Sequence, residues 1–450
     1  MSDHAMTLHK QIAPILERRR VPGVAVGIMH GTDTTFMGVG VTNLEHALPV
    51  DRDTIFQVGS ISKTLLGLII GRLVERDQVT LDTPVAPYFP TGTGIDERIT
   101  LRHVITHTSG IDAQNMIADA PRILRDHADD SIQASLQHFV RRPLLFAPGT
   151  DYSYSGPGIM VAAAVVEKVT GRRYADVLQE EVLDPAGMTT TFTTADQVMT
   201  RRVAAPHGHD RHGRPVLLTD QGWQRHWQLP GWDVPGGGVL STVHDLMRYA
   251  SYVRSAAAPA GLFSVQASRG PKGRDIGLAW WLEDVAGRPA ALHDGLTIGY
   301  ASRLVLIPSE DLAFVILTNS LEGGAAVKEI ERVIARSVFG DVPRRTTGPV
   351  DDALGAALLG TYDCGFYGTV TLAPGERTGE LRMIANPAPA GSDQFTIELP
   401  SADRLVGCGE DSLIVVEPNG EEGSRVPFVR ESDGTVSALR VGERIAHRVA

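Results

Sequence analysis

Ser60 and Lys63 are the residues with the clearest chemical potential in the chain. They lie in Ser60-Ile-Ser-Lys63, heading a segment whose apolar residues Ile61, Leu65, Leu66, Ile69, Ile70, Leu73 and Val74 recur at helical spacing. Side chains three apart on a helix share a face, so the serine hydroxyl and lysine amine can meet. A hydroxyl becomes a useful nucleophile only when a neighbouring base takes its proton. Lysine can be that base when burial or a nearby cation lowers its pKa, and a helix apolar on most sides supplies burial. Taken alone, Ser-x-x-Lys also arises by chance at an ordinary helix start with a solvated lysine.

Four further segments stand in a fixed order behind it: Ile99-Thr-Leu-Arg-His-Val-Ile-Thr-His-Thr-Ser-Gly110, Pro148-Gly-Thr-Asp-Tyr-Ser-Tyr-Ser-Gly-Pro-Gly158, Pro235-Gly-Gly-Gly-Val-Leu-Ser-Thr242 and His293-Asp-Gly295. With Phe56-Gln-Val-Gly-Ser-Ile-Ser-Lys-Thr64, this series resembles the serine β-lactamase and penicillin-binding-protein superfamily. The likeness is to the class C β-lactamase-like serine hydrolases in particular, over roughly residues 10 to 340. The resemblance implies that Ser60 is the nucleophile and Lys63 its general base. It implies that Tyr154 relays the proton to the leaving group, with Tyr152 as a rival better suited to packing. His293 takes the first place of the family's third motif, and Gly295 lets an acyl group lie along a strand edge. The backbone amides of Ser60 and Leu296 would form the oxyanion hole.

One position departs from the family pattern. Where Tyr-x-Asn is usual, Gly156 stands third, removing an amide that contacts β-lactam and peptide acyl side chains. Together with histidine at 293, this argues against a dedicated β-lactamase. His207, His209 and His212 read as a polar turn between short strands in preference to a metal site. All five tryptophans, Trp223, Trp227, Trp232, Trp280 and Trp281, fall between the tyrosine segment and the third motif. Core packing explains each, and Trp227 and Trp232 are the candidates for an aromatic substrate wall.

The elements that must hold these residues follow from periodicity. Strands are predicted at 23–30, 35–41, 303–307 and 312–318, with helices at 61–74, 101–107, 158–169 and 325–338. The expected fold is α/β: one antiparallel sheet built from both ends of a domain, flanked by helices and carrying a helical insert. Residues 1–340 would be the catalytic domain and 341–353 a linker. About eight short strands in 354–450 predict an all-β barrel, lipocalin-like by resemblance, whose expected job is to narrow the cleft.

Composition bounds the rest. A 450-residue chain with 42% hydrophobic and 21% charged residues is ordinary globular protein. Its net charge of -11 speaks against a nucleic-acid partner. The longest apolar run, 159–166, is too short to span a bilayer, so no membrane is expected. Cys364 and Cys408 read as free buried thiols, and the amino terminus lacks the pattern of a signal peptide, which points to the cytoplasm. The resulting expectation is a cofactor-free serine hydrolase acting on a small-molecule or peptide substrate through an acyl-enzyme. A peptidase or amidase, with D-amino-acid selectivity among its options, leads. A carboxylesterase or acyltransferase of the same fold is the alternative, and a non-catalytic recognition module is the reading from another class. Homo-oligomerisation is left open.

Overall fold

The computed structural model describes residues 3–116, 131–218, 227, 229–268, 274–342, 344–387, 401–418 and 420–449. The chain opens with α1 (Asp3–Arg19), then the hairpin β1 (Gly23–His30) and β2 (Asp33–Gly40). Two small pairs lie further on: β3 (Ile55–Gln57) with β6 (Leu240–Thr242), and β4 (His207–His209) with β5 (Pro215–Leu217). The strands β7 (Asp275–Ile276), β8 (Trp281–Val285), β9 (Arg288–Thr297), β10 (Tyr300–Ile307) and β11 (Leu312–Thr318) return to the first hairpin. Among the described residues, the main sheet has seven antiparallel strands in the order β2-β1-β11-β10-β9-β8-β7. Both ends of the stretch from β1 to β11 thus meet in one sheet, with β1 paired to β11 from Val24↔Thr318 to His30↔Leu312.

Alternation along β1 divides two cores. Val24, Val26 and Ile28 pack with Leu8, Ile12 and Leu16 of α1 and with Ile330 and Ile334 of a late helix. Ala25 faces the other way, into the core shared with the helical insert. The helices of that insert and its surroundings are α2 (Ser62–Glu75), α3 (Leu101–Ile105), α4 (Ser131–Phe139), α5 (Gly156–Thr170) and α6 (Val243–Val253), and the late helix is α7 (Gly323–Phe339). Leu65, Leu66, Leu68, Ile69 and Ile70 of α2 are all fully buried. Each such side chain contributes about 1.5–3 kcal/mol of transfer free energy, which is enough to hold a polar residue of the same helix out of water. Lys63 is that residue, at 3% exposure.

After α7 comes α8 (Asp352–Leu358), which begins inside the stretch expected as linker. Eight strands then close a barrel: β12 (Gly360–Asp363), β13 (Gly368–Pro374), β14 (Leu381–Pro387), β15 (Ala402–Gly407), β16 (Ser412–Val416), β17 (Glu422–Arg430), β18 (Val436–Val441) and β19 (Arg444–Arg448). Closure runs through β12 and β19, with Tyr362 opposite Arg448. One of the eight short strands expected in 354–450, Phe395-Thr-Ile-Glu-Leu399, lies outside the described residues. The strand β19 carries little sequence signal, because Arg444-Ile-Ala-His-Arg448 offers only Ile445 and Ala446 to an apolar pattern. The helix α1 has no counterpart among the expected elements, and its carboxyl-terminal end is tied down by ion pairs from Arg18 and Arg19 to Glu329 of α7. The barrel sits against the first part of the chain through Arg336–Glu421 and Arg19–Glu417 ion pairs. Among the described residues, no helix is long and apolar enough to cross a membrane.

Candidate active site

A short helical turn, Gly59–Ile61, leads directly into α2 and carries Ser60 at its centre. Gly59 has φ +56°, and a Cβ there would lie 2.7 Å from the Leu296 amide nitrogen on β9. A Cβ on Gly295 would sit 2.1 Å from the Val58 carbonyl. Glycine at both positions therefore lets strand and turn touch, and the Ser302 hydroxyl fastens the junction by donating to the Val58 carbonyl at 2.8 Å. This close approach brings the backbone at Leu296 beside the turn that holds Ser60. The Leu296 side chain itself points outward and is exposed.

Lys63 donates from Nζ to Ser60 Oγ at 2.9 Å and also to the Gly236 carbonyl. Burial brings its pKa down to about 7, against the opposing charge of Asp233 and with help from the Arg444 cation. Asp233 is displaced in the complementary direction, with burial pushing its carboxyl up to about 7 while the lysine charge restrains it. Its side chain abuts Gly236, the residue whose carbonyl Lys63 contacts. Lysine and aspartate thus share one desolvated corner.

Tyr154 lies across the cleft, with Lys63 Nζ 5.1 Å from its ring centroid. Burial pushes its phenol well above the ordinary range, opposed by the neighbouring Ser60 hydroxyl and the Arg444 charge. The resting tyrosine is consequently a protonated phenol, and the amine is the base poised near neutrality. Tyr152 is 2% exposed and packs edge-on to His107 at 6.0 Å. His107 also lies 4.3 Å from the Tyr154 ring, and its Nδ1 accepts the Ser155 amide at 3.2 Å.

His293 is fully buried on β9, stacked on Trp281 with centroids 4.3 Å apart, and 6.3 Å from the Tyr154 ring. Its Nδ1 donates to the Asp294 carbonyl at 2.6 Å, which leaves Nε2 as a buried acceptor with no hydrogen-bond partner among the described residues. Burial, reinforced by the Lys63 charge, holds its pKa down to about 3, so the ring is neutral. Asp294 behind it is ionised: burial opposes this, but Arg303, Lys328 and Arg274 hold its carboxyl far below the usual range.

Ser60, Lys63, Tyr154, His293, Gly295 and Leu296 therefore converge on one cleft. Gly156 is the first residue of α5, directly after the N-cap Ser155 and two residues from Tyr154. The two tryptophan candidates separate. Trp227 is partly buried and donates from Nε1 to the Tyr300 hydroxyl at 2.9 Å, while its carbonyl accepts from Gln57. Trp232 is 1% exposed and packs against Phe139 at 5.4 Å, so it has no free face for a substrate and is core. Trp223 lies outside the described residues. Among the described tryptophans, Trp281 is the one beside the cleft, stacked on His293 and 6.0 Å from the Tyr154 ring. His207 is satisfied by the Asn319 carbonyl and the Leu44 amide. Among the described residues, no group of three or more histidine, cysteine or acidic side chains is placed to hold a metal.

Three participants carry no signal in a linear reading: Asp233, His107 and, most of all, Arg444. Asp233 precedes the small-residue turn, and His107 lies inside a segment already singled out for its order. Arg444 comes from β19 of the barrel. Its guanidinium carbon lies 5.1 Å from the ring centroids of both Tyr154 and Tyr367. It donates to the Gly442 carbonyl at 3.2 Å and, among the described residues, forms no ion pair. The other barrel arginine at this end, Arg440, is paired with Asp151.

A helix-borne serine beside a depressed lysine, with a tyrosine opposite and a strand edge alongside, defines the architecture of β-lactamases and penicillin-binding proteins. The chain belongs to the beta-lactamase family, whose model matches residues 8–338. It is 27% identical over 378 residues to penicillin-binding protein 4 of Amycolatopsis lactamdurans, covering 76% of this chain and 93% of that protein. To esterase EstB of Burkholderia gladioli it is 32% identical over 217 residues, 45% of this chain and 54% of that one. Among solved structures, it resembles SurE crystallised with D-Leu at a TM-score of 0.67 and 20% identity, with full coverage of both chains. The octameric penicillin-binding protein homologue from Pyrococcus abyssi gives a TM-score of 0.66 at 20% identity, covering 99% of each. These two likenesses establish the fold, barrel included.

Proposed function

We propose that the protein is a serine peptidase or amidase working through an acyl-enzyme on Ser60, on substrates with a free carboxylate on the leaving-amine side. The observation that carries this reading is Arg444, a cation with no ion-pair partner among the described residues, set over the ring of Tyr154. Tyr154 is the group assigned to the leaving atom, so a charge anchored beside it selects the leaving group and not the acyl group. Guanidinium matches carboxylate geometry with two parallel donors.

In the acylation step, Ser60 Oγ attacks the scissile carbonyl and its proton passes to neutral Lys63. The backbone amides of Ser60 and Leu296 receive the developing oxyanion. The carbon–nitrogen bond then breaks, and the proton returns through the Tyr154 phenol to the departing amine. Water, or a second amine, attacks the ester in the reverse sense. An amino acid held by Arg444 would be placed equally well as leaving group or as acceptor, so acyl transfer belongs to the same chemistry. Ester hydrolysis is the second reading, favoured by the 32% identity to EstB.

The test is a panel of dipeptides and tripeptides in D and L series, each with a free or amidated carboxyl terminus, assayed with wild type and Arg444→Met. A charge-assisted contact contributes about 1.5–3 kcal/mol, so preference for the free acid should be about tenfold or more and vanish in the variant. Equal turnover of amidated and free substrates by wild type would refute the carboxylate anchor. Hydrolysis confined to esters would favour the second reading.

A further inference from the structure

The barrel does more than border the cleft: the geometry points to its last hairpin as the device that positions Tyr154. This inference rests on the reading of Tyr154 as proton relay. The hairpin joins β18 to β19, with Val441 opposite Arg444 and Gly442 and Glu443 at the tip. Both tip residues have positive φ, +54° and +67°, the signature of a tight two-residue turn whose twist matches its strands. That conformation turns the Glu443 carbonyl toward the tyrosine segment, where it accepts the Tyr154 amide at 2.9 Å. The next residue but one, Ile445, donates its amide to Ser153 Oγ at 3.3 Å. Arg440, 4% exposed, reaches from β18 to both the Tyr152 carbonyl and the Asp151 carboxylate. Arg444 covers the Tyr154 ring itself.

Four consecutive residues, Asp151 to Tyr154, are thus each held by one hairpin almost three hundred positions later in the chain. The same hairpin is fixed on its far side. Arg274 lies between Glu283 at 3.0 Å and Glu443 at 3.8 Å, with its guanidinium 4.4 Å above Trp281, the ring on which His293 stacks. The tyrosine and histidine walls of the cleft are therefore referenced to one turn of the barrel. A domain that merely narrowed the opening would need none of the bonds to the Tyr152 carbonyl, the Ser153 hydroxyl and the Tyr154 amide. Arg440 is a positioning residue, acting through the tyrosine segment.

The experiment uses the full-length protein and D- and L-alanine p-nitroanilide, small amides whose aniline leaves only when it is protonated. Arg440→Gln removes both bonds to 151–152. It should lower kcat at least about tenfold with KM within about twofold, as expected when a transition-state group is misplaced. Deuterium exchange of the peptide spanning 151–155 should accelerate in parallel. Arg440→Lys, which keeps the charge on Asp151, should recover part of kcat. Glu443→Gly, which keeps the turn and its carbonyl but removes the carboxylate near Arg274, should lose less activity and protection than Arg440→Gln. Should Arg440→Gln lose its fold, Asp151→Asn offers the same readouts from the more exposed partner and is expected to move them in the same direction. Wild-type kcat in both Arg440→Gln and Asp151→Asn, alongside an inactive Tyr154→Phe, overturns the positioning role alone. An active Tyr154→Phe overturns the relay reading on which it rests.

Discussion

The imidazole of His107 lies against the phenol ring of Tyr154, centroids 4.3 Å apart, in a residue whose own φ is +60°. Its carbonyl accepts the Ser153 amide at 3.1 Å and its Nδ1 the Ser155 amide at 3.2 Å, so one left-handed residue brackets the tyrosine from below. Burial holds the ring neutral, aided by the Lys63 charge, which keeps Nδ1 available as acceptor. Asparagine tolerates positive φ and can present an oxygen to the Ser155 amide. His107→Asn should therefore keep its melting temperature near wild type while kcat falls, because the ring face is gone. His107→Leu strands a buried amide, at a cost of about 1–3 kcal/mol, and adds left-handed strain of about 1–2 kcal/mol. It should melt clearly lower. Equal melting temperatures for the two variants would show that the bracket is not what holds this segment.

Acylation should occur at Ser60 and nowhere else. The motivation is the 2.9 Å contact from Lys63 Nζ, together with a glycine-permitted approach of β9 that brings the Leu296 backbone alongside. Intact mass after treatment with a fluorophosphonate should rise by one adduct, and peptide mapping should place it on Ser60. Ser60→Ala should remain folded and unlabelled. Modification of a different serine at comparable rate would displace Ser60 from the reading.

The pH dependence follows from the Lys63–Asp233 corner. Only the neutral amine can accept the Ser60 proton, so activity should rise with pH through about 7. The Asp233 charge stabilises the ammonium form and so raises the Lys63 pKa. Asp233→Asn removes that charge, and the rising limb should move to lower pH. Lys63→Arg keeps the cation but cannot deprotonate, and should lose nearly all turnover. A rising limb that stays in place, or moves up, in Asp233→Asn would separate Lys63 from the observed titration.

Much of this was legible in the sequence, and the limits have physical causes. The strands around Val24 and Phe314 declare themselves because a strand buried on both faces is continuously apolar, and α2 because its stripe recurs at helical spacing. Ser60, Lys63, Tyr154 and His293 could be marked because ordered local segments carry them. Asp233, Arg440 and Arg444 could not, since a charged residue in a loop or on a barrel strand looks like solvated surface until the barrel is docked. Trp232 was misjudged for the converse reason. Closeness in sequence to a cleft segment does not say which side of the backbone faces the cleft, and this ring turns inward onto Phe139. The strand β19 carries little strand signal because arginine and histidine fill three of its five positions, yet it carries the residue on which the substrate proposal depends.

Efficient β-lactam hydrolysis should be absent. His293 takes the place of the lysine that opens the family's Lys-Thr-Gly motif, and burial, with the Lys63 charge, holds it neutral down to about pH 3. Its Nδ1–H is committed to the Asp294 carbonyl and its Nε2 is an acceptor, so it offers no charge to a β-lactam carboxylate. Gly156 withholds the amide that would engage the acyl side chain. Nitrocefin should therefore acylate Ser60 slowly if at all, with turnover far below that of the best peptide or ester in the panel. The His293 ring should show no titration between pH 5 and 9 when followed by NMR, which tests the charge argument without reference to activity. His293→Lys restores a cation at that position and should raise the rate of nitrocefin acylation, provided the lysine can reach past Trp281. Rapid penicillin turnover by the wild-type protein, or a His293 resonance that titrates near 6.5, would overturn this account of the third motif.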